Sequence, residues 1–523
     1  MTTPSRALAA AHRAIGSLGR SPEWVSWLSL FGISALVRFA YRNAGLFHFD
    51  AVRLAEAVEK TYATGVLHGY VNGRHGSVAV NLLLYVPYHW WTAEVSAEVT
   101  LIATNVLAGS LAVSAFYSLV RALGEGRAGA FAAAAMFSMS PIFLSVTTFG
   151  KPHGLEVLFV VSSLLCLARY HQGGALRLAL AGSALMGMAV FCRESALIYL
   201  PLFGLLALHP RIALVPPRFD LPSRSRRFGP ALALWGPLLG MVALAWVFFL
   251  EEVVVRTLTH RDTATVSFVG LWTPFLMRAF SDLWIDLGGI GLALAVLGGW
   301  AWWRRGEDKL PLVLMLAWSS LIFYVGNTNA YSPRLLAPVS PPFFALAGAG
   351  IGWIHERTRL LGVALMLTVA VSGFLTVQPI IADRSVFSGP KAYALWLKEN
   401  VPPDSVILCM NEPFLSYYAG LTPRYHPLDG RQETMDKFFE SLQESIAAGT
   451  HVFVMPTAFY PDPKRLFRRG LQRWFEVTVV GQHPYEDYHQ STLKRGTVNG
   501  KLLRLSLPGE RPSRTRQRRR PPR

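Results

Sequence analysis

Charged residues are scarce in this chain of 523 residues. Asp, Glu, Lys and Arg together make up 16% of the sequence, whereas soluble domains carry about 25%. At the same time 52% of the residues are hydrophobic, and the mean hydropathy is +0.33. The chain therefore lacks the polar surface that a water-soluble body of its size needs. The composition excludes an ordinary soluble protein and indicates a polytopic membrane protein.

Cysteines and acidic residues are also few. The three cysteines exclude a disulfide framework and a cysteine-based metal site. The 32 acidic residues leave a net charge of +18, which in a soluble protein would suggest nucleic-acid binding. Here Lys and Arg gather in short loops between apolar blocks, and seven Arg lie in residues 511–523. We therefore expect no nucleic-acid partner, and residues 510–523 are predicted to form a disordered Arg-rich tail.

Long apolar blocks recur along the first three quarters of the chain. They predict about eleven transmembrane helices, at residues 24–40, 99–119, 129–148, 155–169, 178–192, 196–209, 230–250, 283–303, 310–326, 335–353 and 360–381. With a cytoplasmic N-terminus, the inner segments carry 17 Lys and Arg and the short outer segments 11. The chain is thus predicted to be a multi-pass protein of the cell membrane, with a cytoplasmic segment 1–23 and a transmembrane domain over residues 24–383.

An odd number of spans places the C-terminal region outside the cytoplasm. Between residues 384 and 509, helical stretches alternate with short β-rich runs such as 405–410 and 451–455. This alternation predicts an extracytoplasmic α/β domain with a partly parallel sheet.

Two outer loops, residues 41–98 and 251–282, are long. In the first loop an apolar series recurs at helical spacing, with charged residues on the opposite side; it consists of Val52, Leu54, Ala55, Val58 and Tyr62. The spacing predicts an amphipathic helix that lies on the membrane surface.

Ionisable side chains near the outer ends of the spans are the candidates for function, because charge at membrane depth is costly. The carboxylates Asp50 and Glu156 and the cations Arg193 and Arg334 take such positions. Transfer of a group from a phosphate-linked lipid needs a base for the acceptor hydroxyl and cations for the departing phosphate. A carboxylate suits the first task, and the guanidinium fork of Arg suits the second.

Short motifs that contain these residues follow one another in a distinct order. After an anchor that ends at Arg38, they are Phe49-Asp50, Gly150-Lys151-Pro152-His153-Gly154-Leu155-Glu156, Phe191-Cys192-Arg193-Glu194-Ser195 and Tyr331-Ser332-Pro333-Arg334-Leu335. In this order and sidedness the chain resembles the GT-C glycosyltransferases that use polyprenyl-phosphate sugars, near the protein O-mannosyltransferase and aminoarabinose transferase families. The resemblance covers residues 24 to about 381.

The resemblance implies a polytopic α-helical GT-C fold and a membrane glycosyltransferase. Such an enzyme would move a sugar from a polyprenyl-phosphate donor to an extracytoplasmic protein, lipid or glycan, by one in-line displacement with inversion. By position it implies that Asp50 activates the acceptor and that Glu156 orients the acceptor or assists a cation. It also implies that Arg193, Arg334 and Lys151 bind the donor phosphate. Further candidates for contact with donor or acceptor are His75, His153 and Tyr331.

Several alternatives stay open at this point. The family often has a second acid directly after the first, where this chain has Ala51, yet Asp50 and Glu156 remain candidate ligands for Mg²⁺ or Mn²⁺. Asp50 is also suited to cap the amphipathic helix, and Arg193 to pair with Glu194. The alternative function is a secondary transporter or lipid flippase. The sequence has no repeated halves, and its charges gather at the outer rim, which favours the transferase.

Overall fold

The structure, a computed structural model, describes residues 22–70, 74–92, 96–173, 175–207, 225–250, 274–305, 309–326, 332–409, 413–459, 462–487 and 496–509. The predicted tail 510–523, nearly all of segment 1–23 and most of the loop 251–282 lie outside the described residues. The chain divides into two compact units, of which the first reaches Phe387 and the second begins at Ser388.

Helices form nearly all of the described first unit. In chain order they are α1 (Glu23–Ala40), α2 (Phe49–Thr64), α3 (His75–Trp91), α4 (Ala97–Ala122), α5 (Arg127–Ser138), α6 (Pro141–Thr147), α7 (His153–Gly173), α8 (Leu176–Cys192), α9 (Leu200–Ala207), α10 (Ser225–Ala245), α11 (Pro274–Arg305), α12 (Leu310–Gly326), α13 (Pro341–His355) and α14 (Arg359–Val386). A π-helical turn (Trp246–Leu250) follows α10, and 3-10 turns (Glu194–Tyr199 and Pro333–Leu336) precede α9 and α13.

Several of these helices suit a lipid bilayer. Four stretches of the described chain are long and apolar enough to cross a membrane: Ala97–Ala122, His153–Gly173, Leu276–Arg305 and Arg359–Asn400. The pair α5 and α6 adds a fifth if it counts as one broken span. Shorter apolar segments are Leu176–Cys192, Glu194–Ala207, Leu232–Phe248 and Leu310–Gly326. The apolar helices are those of a membrane protein, and the number of eleven spans stays a prediction.

The first unit has one large apolar core. The ring of Phe137 lies within it, with the ring centroids of Phe143 at 4.2 Å, Phe116 at 5.1 Å and Phe344 at 5.6 Å. The helices α11 and α13 approach so closely that a Cβ at Gly298 would lie 1.7 Å from the carbonyl oxygen of Leu346. Only glycine permits this approach, and the packing gives a rigid frame for the loops at the helix ends.

The helix predicted over residues 129–148 is broken. The axes of α5 and α6 differ by 59°, because Pro141 cannot continue a helix. Ser140 caps α6 and donates a hydrogen bond of 2.6 Å to Oδ1 of Asp286, which also accepts one of 3.0 Å from the backbone N–H of Ile142. The apolar block predicted as a span over residues 129–148 therefore consists of two helices, and its crossing of the membrane stays a prediction.

The predicted amphipathic helix of the first outer loop is present as α2. Val52, Leu54, Ala55 and Val58 are at most 1% exposed, whereas Tyr62 is 36% exposed. The helix packs against α3 and α4. The apolar face therefore contacts protein rather than lipid, and the position of the helix at the membrane surface stays a prediction.

The second unit is a mixed α/β structure. Its helices are α15 (Gly389–Asn400), α16 (Pro413–Ala419), α17 (Gln432–Ala447) and α18 (Leu466–Trp474), and its strands are β1 (Val406–Leu408), β2 (Thr422–Arg424), β3 (Val452–Val454), β4 (Glu476–Gln482), β5 (Tyr485–Asp487), β6 (Gly496–Val498) and β7 (Lys501–Ser506). The main sheet has the order β2-β1-β3-β7-β4, in which β1 pairs parallel with β2 and β3, and β7 antiparallel with β3 and β4. β5 and β6 form a separate antiparallel pair.

Candidate active site

Ionisable side chains meet where several elements of the first unit begin or end. These side chains, called the charged cluster, are His48 and Asp50 at the start of α2, Arg74 before α3, Lys151, His153 and Glu156 at the start of α7, Arg193 and Glu194 after α8, and Arg334 in the 3-10 turn before α13. Arg193 interacts electrostatically with both Lys151 and Arg334, which joins the members into one cluster.

Asp50 forms a buried ion pair with Lys151. Its Oδ2 lies 2.6 Å from Nζ of Lys151 and 4.0 Å from Nη1 of Arg74. Burial alone would raise the pKa of Asp50, but Lys151, Arg74 and Arg334 hold the pKa below its usual value. Among the described groups, none donates a hydrogen bond to the buried Oδ1. The carboxylate is therefore ionised at neutral pH and keeps one oxygen for a ligand.

His48 contacts both neighbouring cations. Its Nε2 lies 2.8 Å from Nη1 of Arg334 and 3.3 Å from Nζ of Lys151. Burial and the charge of Arg334 lower the pKa of Lys151 well below its usual value. Burial lowers the pKa of Arg334 to about 10, so its guanidinium stays protonated at neutral pH.

Arg334 is the cation of the cluster whose charge is least compensated. Within the described part of the chain, Asp50 pairs with Lys151, Glu156 with Arg193 and Glu194 with Arg74, and no carboxylate forms an ion pair with Arg334. Its Nε also has no hydrogen-bond partner among the described groups. An anion that enters the cluster would therefore meet a guanidinium that Asp50 attracts only at longer range.

Glu156 holds Arg193 in place. Its Oε2 accepts a hydrogen bond of 2.6 Å from Nη1 of Arg193, and its Oε1 accepts one of 2.7 Å from Ser195. Arg193 also contacts Nδ1 of His153. Both oxygens of this fully buried carboxylate are thus engaged.

Arg74 and Glu194 form a two-point ion pair that sequence reasoning did not predict. Nε of Arg74 lies 2.6 Å from Oε2 of Glu194, and Nη2 contacts the other oxygen. The alternative pairing of Arg193 with Glu194 is therefore wrong. Arg193 has extended backbone angles, φ −160° and ψ 121°, and successive side chains of an extended backbone point to opposite sides.

Asn105 of α4 fixes the segment that carries Lys151. Its Nδ2 donates hydrogen bonds to the carbonyl oxygens of Val146 (2.8 Å) and Phe149 (2.6 Å), and its Oδ1 accepts one from the N–H of Gly154 (2.8 Å). A Cβ at Gly154 would lie 2.6 Å from that Oδ1. Asn105 was not predicted, although an amide inside an apolar helix is a signal that could have identified it.

Most of the sequence-predicted candidates lie in the charged cluster. They are Asp50, Lys151, His153, Glu156, Arg193 and Arg334. His75 lies elsewhere at the start of α3, where its ring centroid is 4.8 Å from that of Phe248, and Tyr331 lies outside the described residues. The N-cap of α2 is His48 rather than Asp50, so the capping role considered for Asp50 is wrong. His48 and Arg74 are members that the sequence did not reveal.

The two candidate metal ligands do not fit a divalent cation in this arrangement. Oδ2 of Asp50 pairs with Lys151, and both oxygens of Glu156 are bound by Arg193 and Ser195. Mg²⁺ and Mn²⁺ take several oxygen ligands, whereas cations already neutralise these carboxylates. Within the described residues, no group of three or more His, Cys, Asp and Glu is placed to hold a metal ion.

Comparisons with known proteins give one family match and several similar solved structures. A family model described as dolichyl-phosphate-mannose-protein mannosyltransferase matches residues 87–216. No curated protein matches the sequence. The oligosaccharyltransferase of Archaeoglobus fulgidus is 14% identical with a TM-score of 0.55, over 90% of this chain and 73% of that one.

Two further solved structures are similar. ArnT from Cupriavidus metallidurans, bound to undecaprenyl phosphate, is 14% identical with a TM-score of 0.53, over 92% of this chain and 98% of that one. The arabinofuranosyltransferase AftD from Mycobacteria is 14% identical with a TM-score of 0.51, over 92% of this chain and 41% of that one. These similarities show that the chain shares their fold.

Proposed function

Because the chain has the fold of the GT-C glycosyltransferases, we propose that it is a membrane glycosyltransferase that uses a polyprenyl-phosphate sugar. The enzyme would transfer the sugar to a hydroxyl group of an extracytoplasmic protein, lipid or glycan. The N-terminus would be cytoplasmic, and the second unit extracytoplasmic. ArnT, solved with undecaprenyl phosphate, and the archaeal oligosaccharyltransferase, solved with a dolichol phosphate, support a lipid-phosphate donor.

One observation carries this proposal: a cation without a direct ion pair lies near a carboxylate with an open oxygen. Arg334 has no carboxylate partner in the described part of the chain, and Oδ1 of Asp50 accepts no hydrogen bond there. Both side chains are linked through His48. A donor phosphate would neutralise Arg334, and an acceptor hydroxyl would donate to Asp50, so both reactants would meet at one place.

The reaction follows from these two groups. The acceptor oxygen, with its proton directed at Oδ1 of Asp50, would attack the anomeric carbon of the sugar. A new C–O bond forms as the bond between the anomeric carbon and the phosphate oxygen breaks, with inversion at that carbon. The hydroxyl proton passes to Asp50. The electron pair of the broken bond stays on the phosphate, where Arg334 and Lys151 stabilise the added charge.

The remaining members of the cluster would position these groups. Glu156 accepts a hydrogen bond of 2.6 Å from Arg193. This ion pair holds the guanidinium of Arg193 in a place where it interacts electrostatically with Arg334 and Lys151. We assign Glu156 to holding Arg193 rather than to contact with the acceptor, because both of its oxygens are engaged. No step of this mechanism is assigned to a divalent cation.

Replacement of Asp50 tests the proposal. Membranes that contain wild-type protein or Asp50→Asn would receive a radiolabelled polyprenyl-phosphate sugar, and label that leaves the lipid would be counted. We expect the variant to be slower by about 10²–10⁴-fold, because an amide cannot take the acceptor proton. Asp404→Asn, in an exposed turn of the second unit, is the matched control and should transfer at the wild-type rate.

The outcome also separates the enzyme from a flippase. A flippase would move labelled lipid across the bilayer without releasing the sugar from its phosphate. Full transfer by Asp50→Asn at normal expression would remove the proposed role of Asp50. Movement of intact labelled lipid, with no transfer by the wild type, would overturn the glycosyltransferase itself.

A further inference from the structure

His48 lies between the carboxylate and the cation on which the proposed reaction depends. Its side chain is buried, with 3% exposure. Nε2 faces Nη1 of Arg334 at 2.8 Å and Nζ of Lys151 at 3.3 Å. Nδ1 lies 3.1 Å from the backbone N of Asp50 and 3.6 Å from Oδ2 of the same residue. Both ring nitrogens therefore face hydrogen-bond donors.

A neutral imidazole cannot accept at both ends. It has one nitrogen with a free electron pair and one that carries a proton. The guanidinium of Arg334 cannot act as an acceptor, and a hydrogen bond from a charged donor is shorter and stronger than one from a backbone amide. The observed 2.8 Å and 3.1 Å contacts follow this order. We therefore assign the free electron pair to Nε2 and the proton to Nδ1, a tautomer that gives up the hydrogen bond from the N–H of Asp50 and leaves Nδ1 3.6 Å from Oδ2 of that residue.

We propose that His48 is a positioning residue that holds Arg334 for the donor phosphate and connects it to Asp50. Nε2 accepts the hydrogen bond that orients the guanidinium, and Nδ1 lies 3.6 Å from Oδ2 of the Asp50 carboxylate. The ring would thereby fix the distance between the base and the phosphate-binding cation. This inference rests on the proposed function, since it gives Arg334 its orientation for the lipid phosphate.

His48 occupies the N-cap position of α2 in either case, but a capping function makes the opposite use of the ring. As the N-cap of α2, His48 would accept the N–H of Asp50 through Nδ1, and Nε2 would be unimportant. Two amide side chains separate these roles. The Asn oxygen reaches the position of Nδ1 and keeps an acceptor for the cap, whereas the longer Gln places its oxygen near the position of Nε2.

The experiment measures undecaprenyl phosphate binding to the purified full-length protein in detergent. His48→Asn should bind this lipid about tenfold to a hundredfold more weakly, because the charge-assisted bond to Arg334 is lost. His48→Gln should bind close to the wild-type affinity. Arg334→Gln should be at least as weak as His48→Asn. In the double variant the loss should not exceed that of Arg334→Gln alone, because His48 acts through Arg334.

Each other result has a definite meaning. Retention of binding by His48→Asn with loss in His48→Gln would show a capping residue and overturn the inference. Additive losses in the double variant would do the same. If the wild type does not bind the lipid, the proposed function fails. If the wild type binds the lipid, Arg334→Gln binds weakly and His48→Asn binds normally, then only the role of His48 fails. Thermal unfolding midpoints of the variants check that they are folded.

Discussion

Lys151 is a buried cation of the cluster whose protonation depends on its neighbours. It is 4% exposed and lies 2.6 Å from Asp50 and 3.3 Å from His48. Burial and Arg334 lower its pKa, while Asp50 opposes this change. A buried ammonium group persists only with a close counter-ion, so Asp50 maintains the charge that a donor phosphate would meet.

This environment predicts a pH dependence for donor binding. The pKa of Lys151 lies well below 10.5, so with rising pH it loses its proton, and its attraction for phosphate, earlier than an ordinary lysine. Undecaprenyl phosphate binding should fall on the alkaline side at a pH below 10.5. Arginine keeps its charge, so Lys151→Arg should move this fall to higher pH. Lys151→Met should bind undecaprenyl phosphate weakly, and its binding should show no such fall at alkaline pH. An unchanged alkaline limb in Lys151→Arg would contradict the assignment.

The chemistry of the sequence explains which site residues could be found. Asp50, Glu156, Arg193 and Arg334 could be predicted, because ionisable groups next to apolar spans are costly and require a reason. His48 was hidden because its role depends on contacts with Lys151 and Arg334, more than 100 residues away. No sequence period connects such positions. The pairing of neighbours such as Arg193 with Glu194 depends on local backbone angles that the sequence does not display.

At the level of elements, the start of α7 is the most precisely fixed part of the site. Asn105 binds the segment on both sides of Lys151, with bonds to the carbonyl of Phe149 and the N–H of Gly154. A Cβ at Gly154 would also lie 2.8 Å from the backbone oxygen of Asn105. The position of Lys151 therefore depends on close contact between α4 and α7.

Substitution of Gly154 by Ala should disturb that contact. The added methyl group would push α7 away from Asn105, and overpacking of this kind costs about 1–3 kcal/mol. We expect a lower thermal unfolding midpoint and weaker undecaprenyl phosphate binding. Gly173→Ala, at the other end of α7, meets no atom within 4 Å and should change neither quantity. Equal behaviour of the two variants would show that the contact at Gly154 is not critical.

The elements differ in how well the sequence predicts them. The helix α2 could be predicted because its apolar residues recur with the helical period, although the period does not reveal that protein, rather than lipid, covers that face. The break between α5 and α6 could not be predicted from the apolar run alone. Part of its support comes from Asp286, whose oxygen accepts hydrogen bonds from Ser140 and Ile142 across the fold.

The first unit as a whole has two polar ends. Helix α7 begins at the charged cluster, and near its other end Gln172 donates a hydrogen bond of 2.7 Å to the carbonyl of Ala122. Close to Ala122 in the chain, Glu125 accepts bonds from Trp302 (2.6 Å) and Arg305 (3.2 Å). The 21 residues of α7 span about 32 Å, close to the thickness of a bilayer core, about 30 Å. The two ends thus suit opposite membrane surfaces.

The distribution of basic residues assigns the two ends to sides of the membrane. The end with Glu125 includes Arg121, Arg127 and Arg305, in short connections or at helix ends. Arg357 lies in the short connection between α13 and α14. Such clusters are typical of the cytoplasmic side. We therefore predict that the charged cluster faces the extracytoplasmic side, where the acceptor would be reached.

Cysteine labelling in intact cells tests this sidedness. In a background with Cys166, Cys192 and Cys409 replaced by Ala, single cysteines would be introduced at three exposed positions, Ala63→Cys, Arg357→Cys and Asp404→Cys. The cysteines of Ala63→Cys, near the end of α2, and of Asp404→Cys, in the second unit, should react with a membrane-impermeant maleimide in intact cells. Arg357→Cys should react only after the cells are permeabilised. The reverse pattern for Ala63 and Arg357 would place the charged cluster in the cytoplasm, where the proposed extracytoplasmic acceptor could not reach Asp50.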